Sequence, residues 1–389
     1  MDRVLSVSLG EVVLKGLNRK YFEDKLIKNI RRALEGLGDI SIYKEQGKIY
    51  IEGLEGYEEI AANRLKKVFG LVYISPCIRT TTDMEDIRQA ALLAVKEFTD
   101  QVEKVFTFKV DVTRSDKRYP LKSPDISRDI GGHILKNSNN LRVDVHDPQI
   151  LVRVDVKEKG YVYTKRDKAF GGLPVGTNGR GLLLLSGGID SPVAGFLMAK
   201  RGVDIDCIHF HSYPFTSERA EEKIYDLARI MARYTGPMKI FSINLLNIQK
   251  EIGRSCPEDE MTIISRRFMM RIAEKLAAPR GYDALITGEN LGQVASQTIQ
   301  SVDVINRSVE MPILRPLIGM DKVDIIKWSK DIETYETSIQ PFEDCCSVFL
   351  PKHPVTKPKI VDILNSESNL DIDGMIEDAL SNLKIVNIE

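Results

Sequence analysis

The stretch Leu182-Leu183-Leu184-Leu185-Ser186-Gly187-Gly188-Ile189-Asp190-Ser191 restricts the fold more than any other part of the chain. Four consecutive leucines make a short apolar run of the kind found in a strand covered on both faces. From Pro192 to Arg201, apolar residues recur at helical spacing (Val193, Phe196, Leu197), and the run stops at Gly202. Two glycines therefore sit between a buried strand and the first turn of a helix. Glycine lets a backbone turn tightly and approach a ligand closely. The freed N–H groups and the positive end of the helix then favour an anion, most often a phosphate. The spacing is not that of a Walker A loop, which needs Lys followed by Ser or Thr after four variable residues. Nor is it the GxGxxG of dinucleotide-binding folds.

From residue 181 onward strands alternate with helices. Residues 203–210 and 238–243 read as strands, 217–234 as an amphipathic helix with Thr216 as its N-cap, and 261–277 as a long helix. Ala284-Leu285-Ile286-Thr287 is a fourth strand, running into Gly288-Glu289-Asn290-Leu291-Gly292. Repeated strand–helix units predict a parallel, doubly wound sheet. Ligands in such sheets bind beyond the strand C-terminal ends. Four places are thus nominated: Ser186–Ser191, His209–Phe210, the segment after Ser242, and Gly288–Gln297.

At 389 residues, two or three domains are expected. Residues 1–75 follow a strand–helix–strand–strand–helix, ferredoxin-like plan. Residues 76–165 form another mixed unit, with a helix over 83–99, a strand at 105–110, a helix over 127–136 and alternating strands at 141–145, 150–156 and 161–163. Between them lies a basic, proline-broken stretch whose Arg114, Lys117, Arg118 and Lys122 are candidate RNA contacts, with Tyr119 among them. Residues 1–180 carry 32 Lys+Arg against 26 Asp+Glu, and residues 181–389 carry 23 against 30. That asymmetry fits a polyanion docking on the N-terminal half. Residues 166–180, rich in glycine, read as a linker.

Five cysteines with no CxxC spacing argue against a disulfide framework and against a zinc or iron–sulfur site. A reducing cytoplasm is expected. No apolar run approaches a membrane span. Cys77, Cys207 and Cys256 read as core. Cys345 and Cys346, adjacent in a polar loop after Pro341, are the candidates for thiol chemistry. Trp328 reads as helix packing.

The Ser186–Ser191 stretch matches the SGGxDS loop of the ATP pyrophosphatase superfamily, which cleaves ATP between its α- and β-phosphates. The whole chain resembles the tRNA 4-thiouridine synthetase (tRNA uridine 4-sulfurtransferase) family. The residues that carry this are Gly10-Glu11, Leu14-Lys15-Gly16, Asn18-Arg19, Arg114, Lys117, Pro120 and Ser123. They continue with Ser186–Ser191, His209-Phe210-His211, the run Gly288–Gln297, Arg315-Pro316-Leu317 and Glu343-Asp344-Cys345-Cys346.

The resemblance implies a ferredoxin-like domain (1–75), a THUMP RNA-binding domain (76–165), a linker (166–180) and a PP-loop pyrophosphatase domain (181–389). It implies ATP contacts at Leu184, Leu185, His209, Phe210, Arg266, Gly288 and Gln297, with Ser186, Gly187, Gly188, Asp190 and Ser191 cradling the phosphates. Asp190 is expected beside the phosphates as a ligand of Mg²⁺ or water. Arg266, mid-helix, is expected at the α-phosphate, the bland alternative being a surface cation beside Arg267.

The implied reaction is 4-thiouridine formation at position eight of tRNA. The uridine carbonyl oxygen takes AMP, pyrophosphate leaves, and sulfur displaces AMP through Cys345 and Cys346. Longer family members carry a rhodanese domain, of which this sequence holds no trace. A cysteine desulfurase or another separate donor is therefore expected, and a sulfur supply to thiamine biosynthesis is weakened. A homodimer is implied by family analogy. Two other readings stand beside this one: another ATP pyrophosphatase with a different acceptor, and a non-catalytic RNA-binding protein holding ATP structurally.

Overall fold

Residues 1–99, 104–115, 117, 119–294, 297–342, 349 and 351–389 are described by a computed structural model. The chain divides into two compact units, Met1–Leu173 and Pro174–Glu389.

In the first unit, period-two apolar patterns give strands β1 (Asp2–Leu9), β2 (Ser41–Glu45), β3 (Lys48–Glu52), β4 (Leu71–Thr80), β5 (Phe106–Arg114), β6 (Leu141–Val143), β7 (Ile150–Val156), β8 (Gly160–Tyr163) and β9 (Asp167–Lys168). All nine belong to one sheet, ordered β2-β3-β1-β4-β8-β7-β5-β6, with β9 also on β4. Helices α1 (Arg19–Ala33) and α2 (Glu58–Lys66) bury Leu26, Ile30 and Leu65 with Leu5, Val7, Ile49 and Ile51. Helices α3 (Met84–Thr99) and α4 (Ser123–Lys136) bury Ile87, Val95, Ile126 and Ile130 with Phe108, Val110, Val152 and Val154.

The other face of this sheet holds a polar, aromatic cluster. Tyr43, Tyr50 and Tyr161 stack, with ring centroids 5.5 and 4.0 Å apart. Lys48 on β3 donates to Asp155 on β7 at 2.6 Å. In a flat sheet, four strand spacings would put those strands about 19 Å apart. The sheet is therefore rolled until its two halves touch. Burial opposes the charge on Lys48, but Asp155 more than offsets it and raises the lysine's pKa.

The regions 1–75 and 76–165 share one sheet, in which β4 runs straight across residues 75 and 76. The glycine-rich stretch after 165 is not loose. Asp167–Lys168 pairs with β4, and Leu173 and Val175 are buried.

The second unit carries strands β10 (Arg180–Leu184), β11 (Asp204–His211), β12 (Met238–Asn244), β13 (Ala284–Ile286), β14 (Ile313–Leu314) and β15 (Lys384–Ile388). Their order is β14-β13-β10-β11-β12-β15, all parallel but for antiparallel β15 at the edge. The helices are α5 (Asp190–Lys200), α6 (Glu218–Thr235), α7 (Leu246–Ser255), α8 (Met261–Ala277), α9 (Ile299–Asn306), α10 (Lys322–Asp331), α11 (Tyr335–Ser338), α12 (Ile360–Glu367) and α13 (Ile372–Ser381).

The leucine run explains itself. Leu182 and Leu184 join the core built on α8, while Leu183 faces Gly195 of α5. A Cβ on Gly195 would lie 2.7 Å from Leu183 Cδ2, so strand and helix pack at a distance only glycine permits. Trp328 packs on Phe196, centroids 5.6 Å apart. The cap of α6 is Ser217, whose hydroxyl accepts from the Ala220 N–H, not Thr216. The Thr216 hydroxyl instead accepts from the Ser212 N–H, which turns it inward. Among the described residues no helix is long and apolar enough to cross a membrane.

Candidate active site

Strand β10 ends at Leu184 and α5 begins at Asp190, leaving a five-residue turn. Its two serines tie the ends together. The Ser186 N–H donates to Ser191 Oγ at 2.9 Å, and the Ser191 hydroxyl donates to the Ser186 carbonyl at 3.1 Å. Neither Gly187 nor Gly188 has a positive φ. What these glycines contribute is the missing side chain, which leaves the backbone open over the helix N-terminus.

The turn borders a cavity of about 260 Å³. Part of its lining is apolar (Leu184, Leu185, Phe210, Met269, Met270, Ile305), of a kind that accepts a purine. The rest is polar (Ser186, Asp190, Ser191, Arg266, Thr287, Glu289, Gln297), with Gly288 and His209 also on the wall. Leu184, Leu185, His209, Phe210, Arg266, Gly288 and Gln297 thus line one cavity with Ser186, Asp190 and Ser191, though they come from the end of β10, β11, α8 and the loop after β13; Gly187 and Gly188 are not on its wall. His209 Nδ1 donates to the Leu185 carbonyl at 3.0 Å, locking the ends of adjacent strands. A Cβ on Gly288 would sit 2.7 Å from the Ser191 backbone nitrogen, so this position must be glycine for the loop to seat on α5. Gln297 Oε1 is buried with no partner among the described residues.

Sequence reasoning missed the groups that hold Asp190 and Arg266. Lys322 Nζ donates to Asp190 Oδ1 at 2.6 Å, and Gln293 Nε2 to Oδ2 at 2.9 Å. Glu289 Oε1 accepts from Arg266 Nη1 at 3.0 Å, while its Oε2 accepts from Arg315 Nε at 2.6 Å. Arg267, the neighbour of Arg266, points the other way. It is fully buried and bidentate to Glu367, which also takes both terminal nitrogens of Arg271. Burial would raise the Glu367 carboxyl's pKa, but Arg271 and Arg267 overcome that and hold it below the usual range.

A larger cavity of about 660 Å³ lies past the ends of β11 and β12 and contains the nominated segment after Ser242. Its wall carries Glu218, Glu221 and Asp378. Burial and the proximity of His209 lower the pKa of His211, so at neutral pH that wall sets Lys384 against three carboxylates, a poor balance for a triphosphate.

Of the RNA candidates, Arg114 donates to the carbonyls of Tyr119 and Leu121, so it shapes the basic loop rather than standing free. Lys117 and Lys122 are exposed, and Arg118 lies outside the described residues. Cys345 and Cys346 also lie outside them. Burial pushes the thiol of Cys77 up to about 12, that of Cys207 higher still, and that of half-buried Cys256 to about 11. None of these three supplies a thiolate at neutral pH.

A glycine turn from the central strand of a parallel sheet into a helix, closed over by two further strand ends, defines a PP-loop nucleotide-binding domain. Family models agree: "Thiamine biosynthesis protein (ThiI)" matches residues 176–372, "ThiI ferredoxin-like domain" 4–75 and "THUMP domain" 81–165. The chain belongs to the tRNA sulfurtransferase (ThiI) family. It is 55% identical over 388 residues to the probable tRNA sulfurtransferase of Alkaliphilus metalliredigens, covering 100% of this chain and 99% of that one. The corresponding protein of Acetivibrio thermocellus is 50% identical over 390 residues, with coverages of 100% and 99%. The crystal structure of a 4-thiouridine synthetase–RNA complex with bound ATP matches with a TM-score of 0.91 and 38% identity, over 100% of both chains.

Proposed function

We propose that this enzyme thiolates uridine in tRNA, forming 4-thiouridine at position eight at the expense of ATP. The observation that carries the reading is the cavity that gathers Ser186, Asp190, Ser191, His209, Arg266, Gly288 and Gln297. It occurs in a chain similar to tRNA sulfurtransferases along its full length.

The uridine carbonyl oxygen attacks the α-phosphorus, and the bond to the β-phosphate breaks. The N–H groups of the Ser186–Ser191 turn take the charge that develops on the departing pyrophosphate. Arg266 faces the α-phosphate. Asp190 is the residue that would hold the accompanying Mg²⁺. Among the described residues no cluster of three ligating side chains would bind a metal unaided. One carboxylate plus phosphate oxygens is nonetheless an ordinary Mg²⁺ donor set. Bound there, the ion would spread charge on the leaving group.

In the second half-reaction a persulfide sulfur on Cys345 or Cys346 attacks C4, and AMP leaves. The other cysteine then cleaves the S–S bond, freeing the thiocarbonyl and leaving a disulfide for an external thiol to reduce. The high thiol pKa of the three described cysteines supports assigning the sulfur to this pair. Lys117, Arg118 and Lys122 contribute to docking the RNA. A cysteine desulfurase or another donor supplies sulfur, the chain acts as a homodimer, and the thiols require a reducing cytoplasm.

Nucleoside mass spectrometry of tRNA incubated with the enzyme, ATP, Mg²⁺, a cysteine desulfurase with its cysteine substrate, and a reducing thiol tests this. Mass of 4-thiouridine is expected, and its absence with folded protein refutes the reading. A protein that releases pyrophosphate only with a non-RNA acceptor would favour a different ATP pyrophosphatase.

A further inference from the structure

Arg266 faces a cavity that the proposed function fills with a triphosphate, yet its nearest partner is a carboxylate. Glu289 accepts from Arg266 Nη1 at 3.0 Å, and both side chains are largely buried. A lone Arg–Glu pair is neutral, and a guanidinium engaged by a carboxylate is a poor phosphate ligand. A fork-shaped guanidinium facing a single carboxylate also tends to a bidentate grip, which would draw Arg266 off the cavity.

Arg315 changes that balance. Its Nε donates to the other oxygen of Glu289 at 2.6 Å, an oxygen that also accepts from the Thr287 hydroxyl at 3.2 Å. Its Nη2 is buried and has no partner among the described residues, where Glu289 is the guanidinium's one ion-pair partner. Two cations and one anion leave a net charge of +1, and of the two cations only Arg266 lines the cavity. Arg315 stands behind Glu289, in the Arg315-Pro316-Leu317 segment after β14.

We infer that Arg315 is a positioning residue: by occupying Glu289 from behind, it keeps Arg266 single-bonded and available to the α-phosphate. This rests on the ATP-dependent reading of the cavity. Glu289 is then a bridge whose effect depends on what stands behind it. With Arg315 present it aims Arg266; without Arg315 it captures Arg266.

The test is a rescue. Arg315→Gln is expected to lower kcat/KM for ATP in tRNA thiolation by roughly 10- to 100-fold, one charge-assisted hydrogen bond's worth. Adding Glu289→Gln to Arg315→Gln removes the captor, and is expected to restore at least about threefold of that loss, as for directly coupled residues. Arg315→Lys, which keeps the charge, should retain most activity. Activity of Arg315→Gln within about twofold of wild type, or a double variant no better than Arg315→Gln, overturns the inference. Should Arg315→Gln fail to fold, as read from its melting temperature, the double variant decides. Folded and active, it supports capture of Arg266; unfolded or inactive, it assigns Arg315 to structure alone and overturns the proposal. Wild-type enzyme run beside these separates the two ideas. An inactive wild type refutes the function, whereas an active wild type without rescue refutes only the role of Arg315.

Discussion

Two carboxylates in the C-terminal unit each hold two arginines, and they are built for opposite purposes. Glu367, in the core, takes both Arg267 and Arg271 bidentately and sits fully buried. Glu289, on the cavity wall, takes one bond from Arg266 and one from Arg315 and leaves Arg315 Nη2 unpaired among the described residues. The two clusters meet on α8, where Arg266 and Arg267 are neighbours facing opposite ways. The first cluster is closed: all its hydrogen-bonding capacity toward the carboxylate is used, and it pins α8 to α12. The second is open, with surplus positive charge beside a cavity. A saturated ion cluster reads as structure, and an unsaturated one beside space reads as a site.

The comparison predicts that Glu367→Gln costs about 3–5 kcal/mol, because it strands two guanidiniums around a neutral amide. Urea denaturation measures this, and the variant that remains folded should thiolate tRNA at close to the wild-type rate. A variant as stable as wild type would erase the distinction between the clusters. Next in size is Gly288→Ala, which leaves both carboxylates alone but drives a methyl group to within 2.7 Å of the Ser191 nitrogen. Overpacking of this kind costs roughly 1–3 kcal/mol, and ATP binding by calorimetry should fall further than stability does, since the displaced backbone is the phosphate loop.

Glu289→Gln should cost only about 1–2 kcal/mol, with ATP affinity undiminished and turnover reduced. A loss of stability matching that of Glu367→Gln would make Glu289 structural after all. The smallest effect is the acid response. Glu367 titrates in the folded state below its unfolded value of 4.5. Its contribution is therefore complete above that pH and is lost as pH falls through the folded value. Stability measured from about pH 5 to pH 3 should fall less steeply in Glu367→Gln than in wild type.

Much of the fold was legible because its signals are local. The leucine run, the glycine turn and the alternation of strand and helix each lie within a few residues, and they located the cavity wall from three strand ends. What escaped was non-local. Lys322 reaches Asp190 across 132 positions, and Arg315 reaches Glu289 across 26. No periodicity marks either partner. Arg266 and Arg267 are indistinguishable as neighbouring letters, and only the helix's rotation sends one to a cavity and one to the core. Strand β15 is five residues long with two exposed positions at its start, too weak a pattern to separate from a tail. Ser217 and Thr216 carry the same hydroxyl, so the true cap depended on which of them the chain turned inward.

Strand β4 carries a consequence for anyone dissecting the molecule. One family model ends on it at residue 75 and the next begins just past it at 81, yet a single ladder with β1 runs from Leu71 to Arg79. Scission at that border would split a rib shared by both flanks and expose the stacked tyrosines that both contribute. The smallest piece expected to survive alone is the whole stretch Met1–Leu173, one compact unit built on a shared sheet.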